Sequence, residues 1–390
     1  MPRSDVAEAI QALQRVQRAR WRGASGSQLA ITLFLSLTVV PALIGKLVIP
    51  LEWYAFRCWE VMVDQRPAGA RPGWWYPNQV LQKLEHDDLV PRTRYSKPRN
   101  VVWYTDAYGY RNRPRPGNEP IDIVVIGDSE IVGSSMTQDD ILSEVLERMT
   151  GRPVYAYAPA YFGKFVEDPR FQQRPPKVVV FSFMERSVAW RLVPLGVPYP
   201  GRVRVGGPPN PYRLLPARAQ IAWDKIRKKP FLVSHLIRRI TGRHPLGLSV
   251  IKSNQSDMFF FRDDLAAIGY HQQHPEDIDR TVRVIRQYHH AMAMRGVQFL
   301  FVGNPSKEIV YWDLVPPEYR RGLRPPDFFT QLLPKLEAAG VPTLDLRQVY
   351  REAGVPQGEL VFHLGNTHWN PHGVRLAAKA IAERLTPWLE

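Results

Sequence analysis

Cysteine is almost absent from this chain of 390 residues, which contains only Cys58. A single cysteine excludes an intrachain disulfide and a cysteine-based metal cluster, the usual means of stabilising small exported domains. Acidic residues are also few: 37 Asp and Glu stand against 52 Lys and Arg, a formal net charge of +15. The sequence has no zinc-type or stacking-rich module. We therefore expect its partners to be anionic lipid headgroups or an acidic glycan, and not nucleic acid.

Charged residues are missing altogether from residues 29–45, and after Lys46 the apolar run continues to Ile49. Its length approaches the ~20 residues that a bilayer span needs, with Lys46 reaching back to the headgroups. A signal peptide is the rival interpretation. It is disfavoured by the long segment that precedes the run and by the lack of a small-x-small cleavage pattern after Gly45.

Basic residues before the apolar run predict its orientation. Five arginines precede it, against the acids Asp5 and Glu8, at positions Arg3, Arg15, Arg18, Arg20 and Arg22. By the positive-inside rule the N-terminus stays in the cytoplasm and the rest of the chain is exported. The sequence thus predicts a single-pass protein of the cell (inner) membrane whose C-terminal domain is periplasmic or extracellular.

The sequence predicts four parts of the chain. They are a basic cytoplasmic N-terminus (1–28) with a short amphipathic helix over 5–20, a transmembrane helix (29–49), a juxtamembrane segment rich in aromatics and proline (50–100), and a domain (101–390) with a basic insert (193–259). In the domain, short apolar runs alternate with helical patterns, and a glycine often separates helix from strand. This pattern predicts an α/β fold, a doubly wound parallel sheet in a three-layer, flavodoxin-like sandwich. The insert is either a solvated cap or a contact with a membrane surface or an acidic polymer.

Two short motifs point to chemistry. The buried-strand pattern Val124–Ile126 runs into Gly127-Asp128-Ser129, and Asn366-Thr367-His368-Trp369-Asn370-Pro371 precedes the last predicted helix. Open α/β sheets bind their ligands at the carboxyl ends of the strands. A histidine on a C-terminal loop can meet a serine there and act as its base, which a weak hydroxyl nucleophile needs. Taken alone, Gly-Asp-Ser is more often a helix cap than a nucleophile turn.

These motifs resemble the SGNH/GDSL hydrolase superfamily, in which Gly-Asp-Ser carries the nucleophile and a C-terminal Asp-plus-His element completes the site. The lead-in from Asp106 through Gly109 to Arg111 is similar to one in membrane-anchored members. A narrower resemblance is to the alginate O-acetyltransferase-like branch. It is carried by Pro305-Ser306-Lys307 with Tyr311, by Thr367-His368-Trp369, and by Glu185-Arg186 after a core strand.

The resemblance implies roles for individual residues. Ser129 is expected to be the nucleophile and His368 its base, with Asn366 orienting His368 and the Ser129 amide donating to the oxyanion. Further substrate or oxyanion candidates are Gly163, Glu185, Arg186, Lys307, Tyr311 and Trp369. We expect neither a metal nor a cofactor. A helical ligand pair needs i, i+4 positions on one face of a helix, and Gly365, Pro371 and Gly373 predict a loop for the segment with His363, His368 and His372.

The chain departs from the family pattern at Asn366, where the family has aspartate. An amide orients imidazole but cannot stabilise the imidazolium, so replacing Asn366 by Asp is expected to raise the rate. The acidic candidates to supply the missing carboxylate are Asp128, Glu185 and Asp345.

The resemblance implies acyl-ester chemistry, most simply O-acetyl transfer to, or removal from, an envelope polysaccharide. Outside the cytoplasm a membrane-embedded partner would have to supply the acyl group. The alternative is a catalytically inactive domain that binds glycan or scaffolds an export complex.

Overall fold

The computed structural model describes residues 26–65, 73–116, 119–187, 192–197 and 216–390. The predicted helix over 5–20 and much of the first half of the basic insert lie outside these residues. The chain divides into two compact units, one formed by residues 1–54 with 225–243 and the other by residues 55–224 with 244–390.

The described part of the first unit is helical. Helix α1 (Gly26–Val48) is long and apolar enough to cross a membrane, and α2 (Leu51–Tyr54) follows it. The basic insert supplies α8 (Ala217–Lys228), whose last residues belong to this unit, and α9 (Leu232–Ile240). The break between α8 and α9 contains Pro230, which has no amide hydrogen to continue a helix.

The second unit is built on a five-stranded parallel sheet, which confirms the predicted fold class. Its strand order is β4-β3-β5-β8-β9, and the strands are β3 (Ile123–Gly127), β4 (Val154–Tyr157), β5 (Val178–Met184), β8 (Gln298–Asn304) and β9 (Thr343–Asp345). The central strands β3 and β5 are buried along their whole length. Both faces of the sheet are covered by helices, so these strands are near-continuous runs of apolar residues.

The two faces of the sheet carry separate apolar clusters. Because side chains alternate along a strand, Ile123 and Val125 point into one cluster and Val124 and Ile126 into the other. The helices of the second unit are α3 (Cys58–Met62), α4 (Ser129–Val132), α5 (Leu142–Thr150), α6 (Phe162–Glu167), α7 (Pro169–Gln173), α10 (Arg262–Gln273), α11 (Glu276–Ala293), α12 (Lys307–Val310), α13 (Pro317–Arg320), α14 (Phe328–Ala338), α15 (Leu346–Glu352) and α16 (Pro371–Leu389). Helices α5, α15 and α16 pack on the first face, and α6, α7, α11 and α14 on the second. The result is the three-layer sandwich predicted from the sequence.

Two antiparallel strand pairs accompany the central sheet. Strand β1 (Val80–Glu85) pairs with β2 (Arg99–Tyr104), and β6 (Val250–Lys252) pairs with β7 (Phe259–Phe261). The boundary drawn at residue 100 from the sequence falls inside β2, and residues 55–65 and 73–100 belong to the second unit. Cys58 is fully buried in this unit.

Candidate active site

The serine motif forms a tight turn between β3 and α4. Ser129 is the first residue of α4, at the carboxyl end of a central strand. Asp128 caps the helix: one carboxylate oxygen accepts the Glu130 amide at 3.1 Å, and the other accepts the Met184 amide from β5 at 3.1 Å. Asp128 therefore holds the turn against the neighbouring strand and lies in a supporting position.

Arg111, from the lead-in motif, braces the other end of α4. Its guanidinium is buried and donates to the carbonyls of Gly133 at 2.6 Å and Met136 at 2.7 Å. It also lies 3.9 Å from the ring centre of Trp103. Gly133 directly follows the helix and Met136 lies three residues further along, so Arg111 holds the turn after α4 by its carbonyls. Arg111 of the lead-in motif thus supports the segment that follows the serine turn.

The histidine motif folds back onto this turn. The Nε2 atom of His368 lies 3.0 Å from Ser129 Oγ. Asn366 Oδ1 lies 2.7 Å from His368 Nδ1 and also accepts the His368 amide, while Asn366 Nδ2 donates to Ser135 Oγ at 2.6 Å. With its amide group oriented this way, Asn366 accepts Nδ1–H, so Nε2 is left as the acceptor that faces the serine.

A carboxylate also faces the histidine, and it comes from the loop between β1 and β2. Asp88 Oδ2 lies 3.3 Å from His368 Nδ1. The same carboxylate accepts the Thr367 amide at 2.9 Å and the Thr367 hydroxyl at 2.7 Å. None of the acids proposed from the sequence takes this position.

Electrostatics of the buried cluster favour a charged pair. Burial alone would lower the pKa of His368, but the charge of Glu130 and the hydrogen bond to Asp88 outweigh it, and the pKa is raised. Burial would raise the pKa of Asp88, yet the hydrogen bond and charge of His368 hold it below the ordinary range. Asp88 therefore stabilises the imidazolium, which a neutral amide cannot do.

Glu130 joins the two motifs. It is buried directly after Ser129, and its Oε2 accepts the Trp369 amide at 3.2 Å. Burial raises its pKa to about 7, although the charge of His368 acts in the opposite direction. The Trp369 side chain is fully buried in the apolar core. It therefore supports the histidine loop and is not exposed beside the serine turn.

Lys307 and Tyr311 both hold the histidine loop in place. The Lys307 ammonium is buried and donates to the carbonyls of His363 and Leu364 at 2.7 Å and of Asn366 at 3.1 Å. Tyr311 Oη accepts the Val361 amide at 2.9 Å. The resemblance implied that Lys307 and Tyr311 are substrate candidates. In the structure, the contacts of both residues position the histidine loop.

The remaining candidates have contacts of their own. Glu185 accepts the Phe329 amide at 3.4 Å, and Arg186 forms an ion pair with Asp264. Gly163 lies in α6 after β4, where an added Cβ would meet no atom within 4 Å. Asp345 caps α15 and pairs with Arg347.

The three histidines of this region diverge, and His372 lies in α16 and not in the loop. His368 meets Ser129, whereas His372 lies 3.4 Å from Glu359. Burial, followed by the charge of Arg99, lowers the pKa of His363 well below its ordinary value. Among the residues that the structure describes, no group of His, Cys, Asp or Glu has the arrangement of a metal site.

Sequence reasoning missed Asp88 because no local pattern marks it. The only signal is the adjacent pair Asp87-Asp88 in an otherwise aromatic and proline-rich segment. The loop that carries Asp88 also contacts the histidine loop through the backbone, because the Leu89 amide donates to the Gly365 carbonyl at 3.1 Å. A Cβ on Gly365 would lie 2.6 Å from Val90 Cγ2 and 2.9 Å from Asp87 Oδ2. Glycine at 365 thus allows the two loops to touch.

The serine after the first strand of the parallel sheet faces the histidine before the last helix, which is the arrangement that the resemblance to SGNH hydrolases predicts. The SGNH hydrolase-like domain of the acetyltransferase AlgX matches residues 255–389. The alginate biosynthesis protein AlgX of Pseudomonas putida is 26% identical over 161 residues, covering 39% of this chain and 32% of that protein. Residues 255–389 are therefore similar to the SGNH hydrolase-like domain of AlgX, and the chain spans about a third of the length of this curated relative.

Solved structures with some similarity include a putative SGNH hydrolase from Slackia heliotrinireducens, at 11% identity and a TM-score of 0.33, covering 68% of this chain and 98% of that one. A lipase/acylhydrolase from Enterococcus faecalis has 11% identity and a TM-score of 0.32, with 68% and 96% covered.

Proposed function

We propose that this chain is a membrane-tethered acyl-ester enzyme that transfers acetyl groups to, or removes them from, an exported polysaccharide. The observation that carries the proposal is the 3.0 Å contact between Ser129 Oγ and His368 Nε2. It is supported by the Asp88 carboxylate beside Nδ1, because a domain that only bound glycan would have no use for a buried carboxylate there. The AlgX-like domain supports the polysaccharide and the acetyl group as the substrate class.

The first half of the reaction forms an acyl-enzyme. His368 Nε2 takes the proton of Ser129 as Oγ attacks the carbonyl carbon of an ester. Asp88 and Asn366 receive Nδ1–H of the imidazolium. The Ser129 amide, at the start of α4, donates to the oxyanion. His368 then returns the proton to the leaving oxygen as the ester C–O bond breaks.

In the second half an alcohol or water attacks the acyl-serine. His368 removes the proton of the incoming hydroxyl and gives it back to Ser129 Oγ as the acyl bond breaks. A glycan hydroxyl as acceptor makes the protein a transferase, and water makes it an esterase. Transfer is favoured by the match to the AlgX domain. It requires an acyl donor on the exported side, such as a membrane-embedded partner.

The test is acylation of the purified full-length protein by p-nitrophenyl acetate, followed by intact mass. We expect one acetyl group on the wild type, none on Ser129→Ala, and formation slowed ~10²–10⁴-fold in His368→Ala, the usual loss for a general base. Acetylated and unacetylated polysaccharide then separate transfer from hydrolysis. A wild type that takes no acetyl group would leave the glycan-binding alternative.

A further inference from the structure

Helix α9 carries an exposed apolar stripe. Val233, Leu236, Ile237 and Ile240 have the spacing of one helical face and are 46%, 41%, 54% and 84% exposed. Phe231, just before the helix, is also exposed. Such a stripe on a short helix is unfavourable in water and is typical of a surface with a partner.

The start of α9 is attached to the end of α1. Lys229 Nζ donates to the Lys46 carbonyl at 2.9 Å, and Lys46 Nζ donates in return to the carbonyls of Lys229 and Arg227. At Gly45 an added Cβ would lie 2.8 Å from Leu232 Cβ and 2.8 Å from the Tyr54 hydroxyl. The close approach therefore needs glycine at this point.

A different face of α9 packs on α2. The ring of His235 lies 4.9 Å from that of Trp53 and 5.0 Å from that of Tyr54. The Arg239 guanidinium lies 5.5 Å from the Trp53 ring centre. Since Leu232, His235 and Arg239 share the packed face, the apolar stripe points elsewhere.

The segment that contains α9 is basic throughout. Residues 225–243 have no acidic residue and include Lys225, Arg227, Lys228, Lys229, Arg238, Arg239 and Arg243. A short helix with an apolar stripe and flanking Arg and Lys is the pattern of helices that lie in the headgroup region of anionic membranes.

We propose that α9 lies in the membrane interface at the exported end of α1, with its apolar stripe at the acyl boundary. Lipid is the occupant because the stripe begins where a membrane-long apolar helix ends and because the flanking charge is all positive. The proposal is independent of the acyl chemistry.

The test uses the full-length protein in nanodiscs that contain anionic lipid, with a fluorescent probe on single introduced cysteines. The test positions are Ile237→Cys and Ile240→Cys. The matched controls are Arg238→Cys, on the opposite side of the same helix, and Met294→Cys, at an apolar residue of the other unit that is 74% exposed. Cys58 is buried, and burial raises the pKa of its thiol, so the unchanged chain serves as the labelling blank.

Doxyl-labelled lipids should quench about half or more of the emission of the probes at 237 and 240, and little of the emission at 238 and 294. Equal, weak quenching at all four positions would overturn the proposal. Emission at 237 and 240 that is shielded from water yet unaffected by doxyl lipid would also overturn it, because a protein surface would then cover the stripe.

Discussion

At the scale of single residues, the proposed mechanism divides between two groups the role of one aspartate in the related pattern. Asn366 Oδ1, at 2.7 Å, orients the imidazole, while Asp88 Oδ2, at 3.3 Å, supplies the negative charge. The division is physically reasonable because orientation needs only an acceptor, whereas stabilising the imidazolium needs a charge. It also changes the expectation for Asn366, because an aspartate there would now face a second carboxylate.

Replacing Asp88 by Asn tests this division. The acylation rate should fall about 10–1000-fold, less than the roughly 10⁴-fold loss in a serine protease, because Asn366 still accepts Nδ1–H. The pH at which the rate rises should also move down, since Asp88 helps to raise the pKa of His368 and the base must be neutral. Rate against pH by rapid acylation is the measurement.

Asp87→Asn is the matched control for Asp88→Asn. Asp87 is equally buried on the same loop but pairs with Arg99 at 2.6 Å, so its replacement should leave the pH profile in place. Asn366→Asp alone should gain nothing, because like charges would meet, whereas Asp88→Asn with Asn366→Asp should regain rate. If Asp88→Asn changes neither the rate nor the pH profile, Asp88 has no electrostatic role. A double variant no faster than Asp88→Asn would show that a carboxylate at position 366 does not replace Asp88.

Glu185 allows a test of buried charge away from the serine. Burial raises its pKa to about 7, despite the opposing charge of Arg347. The folded state therefore binds this proton more tightly than the unfolded state, and the stability that this contributes is lost as pH rises from about 4.5 to 7. Glu185→Gln should remove that loss and stabilise the protein at pH 8 by up to about 3 kcal/mol.

Chemical unfolding at pH 5 and pH 8 measures this difference. Glu383→Gln is the control, because its side chain is 68% exposed and its replacement should change neither value by much. A Glu185→Gln variant that keeps the wild-type pH dependence would show that this carboxyl ionises without penalty.

At the scale of elements, the histidine loop is held from three sides. Lys307 bonds its carbonyls, Glu130 bonds the Trp369 amide, and Asp88 bonds Thr367. The last helix is also capped, with Asn370 Oδ1 accepting the Gly373 amide at 2.9 Å. The loop has little regular hydrogen bonding of its own, so these contacts are what keep His368 within reach of Ser129.

The contact between α1 and α9 gives an element-scale prediction. Gly45→Ala should push α9 away, because the new Cβ would lie 2.8 Å from Leu232 Cβ. Hydrogen exchange of residues 225–240 in nanodiscs should then become faster. Gly26→Ala lies in the same helix with no atom within 4 Å and should change nothing. Equal exchange in both variants would argue against the packed contact.

For the whole molecule, the predicted topology places the second unit outside the cytoplasm. The arginines before α1 favour a cytoplasmic N-terminus. A phosphatase fused to the C-terminus should therefore be active in cells, and a fused fluorescent protein that matures only in the cytoplasm should stay dark. The opposite pattern would contradict both the export and the use of an exported polysaccharide.

The sequence determined those features that depend on neighbours along the chain. Apolar runs such as Val178–Phe183 predicted parallel strands, because a strand buried on both faces must be apolar throughout. Gly127-Asp128-Ser129 and Asn370-Pro371 predicted turns and caps, since their backbone contacts are local. The apolar run over 29–49 predicted a membrane-long helix by length alone.

Tertiary structure decided the features that depend on contacts across the chain. Asp88 meets Thr367 from a distance of 279 residues along the sequence, and no periodicity or spacing encodes such a meeting. Asp128 and Asp345, plausible partners for His368 by sequence, are instead occupied by amides at the starts of their own helices. A carboxylate bonds the donors that the fold brings within about 3 Å, and only the folded chain determines which donors those are.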